Sequence, residues 1–123
     1  MKVFIAALLI IFGVAALSFI TPWWVPPFWV VLIASMMKLD IKTSLVIGGA
    51  CYVLVGCTMA WYMSTQDAAD IITKTGTLMG GISNLMMLVV IGIISLVTGS
   101  LAGWLGSVMG SYFRMNNRQV KLR

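Results

Sequence analysis

Long apolar segments constrain this chain more than any other feature of its sequence. The first covers residues 3–20, and about 18 residues are enough for an α-helix to cross the hydrocarbon core of a bilayer. The last covers residues 78–113 and is about 36 residues long, although one crossing requires only about 20. Because backbone amide and carbonyl groups in lipid must pair within the protein, these segments predict membrane-spanning helices.

The composition agrees with a membrane protein and excludes an ordinary soluble domain. Hydrophobic residues make up 61% of the 123 residues and charged residues only 9%, whereas soluble domains carry about 45–50% and about 25%. The net charge is +5. The basic residues flank the apolar runs and form no stripe interleaved with aromatic residues. Anionic lipid headgroups therefore explain the charge better than nucleic acid does.

Two shorter apolar segments lie between the first and last ones. Residues 26–37 would span only about 18 Å and begin with prolines, which are tolerated in the first turn of a helix; this segment is either shielded by its neighbours or re-entrant. Residues 43–62 form the next segment. We predict an all-α fold with four transmembrane helices, including a short proline-led second helix and a long glycine-striped fourth helix. They form one domain at residues 1–113, and a basic cytoplasmic tail follows at residues 114–123.

The basic residues predict the orientation of these helices. With four crossings, seven of the eight basic residues lie on one side of the membrane and only Lys74 lies on the other. Since basic loops remain in the cytoplasm, both termini are predicted to be cytoplasmic in a multi-pass protein of the cell or inner membrane. A re-entrant segment at residues 22–37, or a reversal at residues 98–100, would fit this rule less well. The seven residues are Lys2, Lys38, Lys42, Arg114, Arg118, Lys121 and Arg123.

A stripe of small residues along the fourth helix is the strongest local signal. At 100° per residue its members fall within an arc of about 80°. Small residues let helix backbones approach closely in lipid, where no hydrophobic effect drives helices together. The stripe therefore predicts a helix-packing interface, either with the other helices of this chain or with another chain. It comprises Gly92, Ser95, Gly99, Gly103, Gly106 and Gly110, with Asn84 beside it; Gly49, Gly56 and Ala60 of the third helix form a weaker packing face.

The sequence offers few groups for catalysis or metal binding. It contains no histidine, and its acidic residues, Asp40, Asp67 and Asp70, all fall in predicted loops. Asp67 and Asp70 could share one helix face, but hard cations usually require more oxygen ligands than these supply. We predict no catalytic site, no cofactor and no metal site.

Three functions remain open at this point. The first is a non-catalytic accessory or structural subunit of a larger membrane complex, acting through helix–helix packing. The second is a homo-oligomeric pore or small carrier, holin-like or channel-like, with Ser83, Asn84 and Thr98 as its polar lining.

The third is a lipid-binding, membrane-shaping protein, because each basic residue near anionic lipid contributes about 1 kcal/mol. Its headgroup-binding residues would be those of the tail. The expected partners are membrane lipids and either other membrane-protein subunits or further copies of the chain, with no nucleic acid. The tail residues are Arg114, Arg118, Lys121 and Arg123.

Overall fold

The computed structural model describes residues 1–22, 24–65 and 69–122, and this part of the chain contains helices and no strand. The all-α prediction is therefore confirmed for these residues. Asp67 and Arg123, which the sequence marks as a weak cation ligand and a headgroup-binding residue, lie outside them. The helices are α1 (Lys2–Ile20), α2 (Val25–Met36), α3 (Ile41–Thr65), α4 (Ala69–Leu78) and α5 (Asn84–Lys121).

Three of the described helices, α1, α3 and α5, are long and apolar enough to cross a membrane, and α2 is a shorter apolar helix. Prolines lie in the first turn of α2, where a missing N–H leaves no hydrogen bond unmade. The 12 residues of α2 span about 18 Å. Lys38 in the turn that follows has a φ of 52°, the left-handed conformation in which many helices end.

The last apolar segment begins later and ends later than its composition predicts. Residue 78 is the last of α4, and Gly80 and Gly81 follow it with φ values of 100° and 80°. This left-handed turn favours glycine, and it places the start of α5 at Asn84, so the predicted continuous run from residue 78 is wrong at its start. The 38 residues of α5 extend for about 57 Å. The helix includes most of the segment predicted as a tail.

The four apolar helices surround one core, with α1 and α5 on opposite sides of it. Helix α5 packs chiefly on α3 and also on α2, while α1 packs on both α2 and α3. Phe19 and Tyr62, near the ends of α1 and α3, are in edge-to-face contact with ring centroids 6.5 Å apart, so these two helices run in the same direction. The buried hydrophobic core contains Ala6, Ile10, Val14, Val30, Ile33, Cys51, Val55 and Ala102.

Candidate functional site

Glycines of α5 lie directly against the backbone of α3. A Cβ atom added to Gly48 would lie 2.5 Å from the carbonyl oxygen of Gly99, and one added to Gly99 would overlap the Gly48 carbonyl oxygen and Tyr52 Cβ. A Cβ atom on Gly103 would overlap the carbonyl oxygen of Ser44. The two backbones are thus so close that no side chain fits between them, as small-residue packing in membranes allows.

Farther along α5 the same face packs against α2. A Cβ atom on Gly106 would lie 2.6 Å from the Val31 carbonyl oxygen and 2.7 Å from Ala34 Cβ. One on Gly110 would lie 2.9 Å from the Ser35 carbonyl oxygen. Residue numbers rise together along this contact, so α2 and α5 run parallel. Along the contact between α3 and α5 the residue numbers change in opposite directions, so those two helices are antiparallel.

The weaker packing face predicted on α3 also meets α5. A Cβ atom on Gly49 would lie 2.5 Å from Ser100 Oγ, and one on Gly56 would lie 2.6 Å from Ser95 Oγ. Ala60, one turn farther along α3, is partly buried. The structure therefore brings glycines of α3 against serines of α5, and Ser100 is a contact that the predicted stripe omits.

Gly92 of the stripe and the neighbouring Asn84 lie outside the tightest contact. The nearest atom to a Cβ added at Gly92 would be Cys57 Sγ at 3.9 Å, which is ordinary van der Waals contact. Asn84 is exposed as the first residue of α5. The close approach on α5 therefore begins near Ser95 and continues to Gly110.

A buried serine links the two most closely packed helices, and the sequence predictions missed it. Ser44 Oγ donates a hydrogen bond of 2.7 Å to the carbonyl oxygen of Gly103. Ser44 is only 2% exposed, so this bond forms away from solvent. Ser44 lies four residues before Gly48 and so continues the small-residue pattern of α3. This spacing is the sequence signal that could have identified Ser44.

Ser107 is also buried, but its hydroxyl has no hydrogen-bond partner among the described residues. Serines and threonines in helices commonly donate to the carbonyl four residues earlier, as Thr98 does to Ile94 and Ser111 does to Ser107. For Ser107 that carbonyl belongs to Gly103, which already accepts the bond from α3. The unsatisfied hydroxyl is thus a consequence of the bond between helices.

A basic groove lies where the C-terminal part of α5 passes the turn after α2. Its volume is about 870 Å³. Three predicted headgroup-binding residues line it together with Lys38, which the sequence marks only as a topology residue. We use the name basic groove for the cavity lined by the cations Lys38, Arg114, Arg118 and Lys121 and by the apolar side chains Met36, Phe113 and Leu122, among others.

A second, smaller depression adjoins the basic groove and shares two of its cations, Lys38 and Arg114. Its volume is about 500 Å³, and Asp40 and Lys42 also line it. Within the described residues, neither Asp40 nor any cation of the groove forms an ion pair. The ion pair that does form there joins Lys74 to Asp70 at 3.6 Å. Positive charge therefore predominates at this end of the molecule.

The groups considered for chemistry or for a pore are dispersed in the structure. Within the described ranges, no three histidine, cysteine or acidic side chains come together as metal ligands. Thr98 is partly buried, whereas Ser83 and Asn84 are exposed at the start of α5, about 21 Å away along the helix. The predicted polar lining is therefore not gathered into one surface of a single chain.

Comparison with known protein families, characterised sequences and solved structures finds no significant match.

Proposed function

We propose that this chain is a four-crossing membrane protein with both termini in the cytoplasm, and that it serves as a non-catalytic accessory subunit of a larger membrane complex. The supporting observation is the surface of α5 that points away from its small-residue stripe. This outer face is apolar along the helix and within an arc of about 60°. We define the outer face of α5 as Ile94, Val97, Leu101, Val108, Tyr112 and Met115, all of which are exposed.

The length of α5 is the reason to expect a protein partner on this outer face. At about 57 Å the helix exceeds the total bilayer thickness of about 40–45 Å, headgroups included. Helix α2 ends one residue after Ser35, which lies beside Gly110, so the end of α5 extends past it. Tyr112 and Met115 lie on this extension and are 75% and 71% exposed. Lipid tails do not cover an apolar face at the level of the headgroups, whereas a helix of a partner subunit would.

The internal use of the stripe supports the same proposal. The glycines from Gly99 to Gly110 contact α2 and α3 within the chain, so a partner would engage the opposite side of α5. Aromatic residues and methionine, such as Tyr112 and Met115, are enriched at protein interfaces. The chain would then supply a closely packed scaffold, and the exposed extension of α5 would supply the attachment.

The test is site-specific photo-crosslinking in the native membrane. Benzoylphenylalanine placed at Met115 or Tyr112 should give an adduct with a different protein. The matched control is Asn117, which is on the same extension but lines the basic groove, and it should give no such adduct. An adduct of twice the chain mass would instead identify a homo-oligomer. Recovery of an uncrosslinked monomer from mild detergent would contradict the subunit proposal.

A further inference from the structure

We propose that the basic groove is a binding site for the phosphate headgroup of an anionic phospholipid. The inference does not depend on the proposed partner subunit, because the groove and the outer face lie on different sides of α5. It goes beyond the predicted attraction of a basic tail to a membrane surface. It assigns an open groove, formed by two separate parts of the chain, that would hold an individual lipid.

The distribution of charge is the first argument. The turn after α2 contributes Lys38, and α5 contributes Arg114, Arg118 and Lys121. None of them is in an ion pair recorded for the described part of the chain. Mutual repulsion of four cations is unfavourable without an anion, and arginine binds phosphate oxygens with paired N–H groups. A phosphate in the groove would therefore relieve the repulsion with good geometry.

The end of a helix accounts for only part of this cluster. Basic residues in the last turn interact favourably with the helix dipole, and Arg118 and Lys121 lie in the last turn of α5. The dipole effect falls off within that turn, so it does not explain Arg114. It also does not explain Lys38, which comes from another element.

The backbone at Lys38 is the second argument. Its φ of 52° is a left-handed conformation that disfavours side chains with a Cβ atom and favours glycine. The turn nevertheless carries a lysine, and that lysine lines the groove. The cation of Lys38 is thus held at the groove by a backbone conformation that would suit glycine better.

The apolar lining distinguishes a lipid from a free anion. Met36, Phe113 and Leu122 share the groove with the cations and are 71%, 60% and 89% exposed. A cavity of about 870 Å³ far exceeds the size of a phosphate ion and falls in the range of sites for organic ligands. The glycerol backbone of a phospholipid would cover part of these side chains, whereas inorganic phosphate would leave them in water.

Native mass spectrometry of the full chain in mild nonionic detergent tests this proposal. The probes are dioleoyl phosphatidylglycerol, dioleoyl phosphatidylcholine with the same acyl chains, and inorganic phosphate. We expect one phosphatidylglycerol per chain, bound at least about tenfold more tightly than phosphatidylcholine because basic residues select anionic lipid. Equal affinity for the two lipids would overturn the proposal. Displacement of the lipid by submillimolar phosphate would also overturn it, since the groove would then be a free-anion site.

Two variants identify the groove itself. Glycine tolerates the left-handed conformation at position 38, so Lys38→Gly should preserve the fold while removing the cation. Arg118→Gln removes a second cation from an exposed position. Each should weaken phosphatidylglycerol binding by roughly fivefold, the effect of about 1 kcal/mol per basic residue near anionic lipid. The matched control Lys74→Gln removes a cation outside the groove, and an equal loss of binding there would refute a specific site.

Discussion

The carbonyl group of Gly103 accounts for the different hydrogen bonding of two buried serines. The Gly103 carbonyl accepts the bond from Ser44, while Ser107, which would ordinarily donate to this same group, is buried without a partner among the described residues. A hydroxyl bonded between membrane helices contributes on average about 0.6 kcal/mol. A buried unsatisfied one instead costs roughly 1–3 kcal/mol. The two serines should therefore respond in opposite directions to the same substitution.

We predict that Ser44→Ala lowers the free energy of unfolding by about 0.6–1.7 kcal/mol, because it removes the bond to Gly103. Ser107→Ala should leave it unchanged or raise it, because it removes an unpaired buried hydroxyl. Unfolding by sodium dodecyl sulfate in mixed micelles, followed by circular dichroism, measures both. Equal destabilisation by the two substitutions would contradict the assignment of the bond.

Two glycines of the α5 stripe should also differ. A Cβ atom at Gly103 overlaps backbone of α3, whereas one at Gly92 meets only Cys57 Sγ at 3.9 Å. We expect Gly103→Ala to destabilise the protein by about 1–3 kcal/mol, the usual cost of overpacking. Gly92→Ala should be neutral or should stabilise by up to about 1 kcal/mol through helix propensity. The same unfolding assay applies, and a neutral Gly103→Ala would mean that the helices are farther apart than the structure shows.

At the scale of the helices, apolar runs and small-residue spacing predicted most of the fold. They identified four apolar segments and a small-residue face with Asn84 and Gly92 at its start, of which the part from Ser95 to Gly110 contacts α2 and α3. They could not locate the break before α5, because Gly80 and Gly81 occur among apolar residues and only their φ values mark a turn. Nor could they show that Lys38 approaches Arg114, since this proximity follows from the parallel packing of α2 on α5.

The contact of α1 with α2 depends on a glycine that no stripe predicts. A Cβ atom on Gly13 would overlap the indole ring of Trp29, whose Nε1 donates a 3.1 Å hydrogen bond to the carbonyl oxygen of Leu9. This arrangement lets a helix of about 18 Å lie against a longer one with its tryptophan bonded to the neighbouring backbone. The short second helix is thus held by α1 as well as by α5.

We predict that Gly13→Ala destabilises the protein by about 1–3 kcal/mol, because the new methyl group displaces the indole. In a Trp29→Leu background the same substitution should cost less, since the ring it displaces is gone. A double-mutant cycle of unfolding free energies measures this coupling, which should be about 0.5–3 kcal/mol for residues in contact. Additive effects of the two substitutions would show that Gly13 and Trp29 do not interact.

For the whole molecule, the helix contacts place the described basic residues other than Lys74 at one end. Ser44 bonds to Gly103 and Ser35 lies beside Gly110, so the turn after α2, the start of α3 and the end of α5 lie together. The Phe19–Tyr62 contact places the end of α1 at the opposite end, where α4 follows α3. The bundle is therefore polarised in charge along its axis, as the positive-inside rule would require of the proposed four crossings.

This polarity predicts which positions a membrane-impermeant maleimide reaches in intact cells. In a background with Cys51→Ala and Cys57→Ala, the variant Lys74→Cys should be labelled from outside. Lys38→Cys and Arg118→Cys should be labelled only after the membrane is permeabilised, because they lie at the basic end, which the proposed orientation places in the cytoplasm. A re-entrant α2 would reverse the two later crossings, so Lys38→Cys and Arg118→Cys would be labelled from outside, while Lys74→Cys and an added Lys2→Cys variant would be protected. Labelling of all but Lys74→Cys would show that the whole bundle is inverted, and the charge polarity would then not determine its orientation.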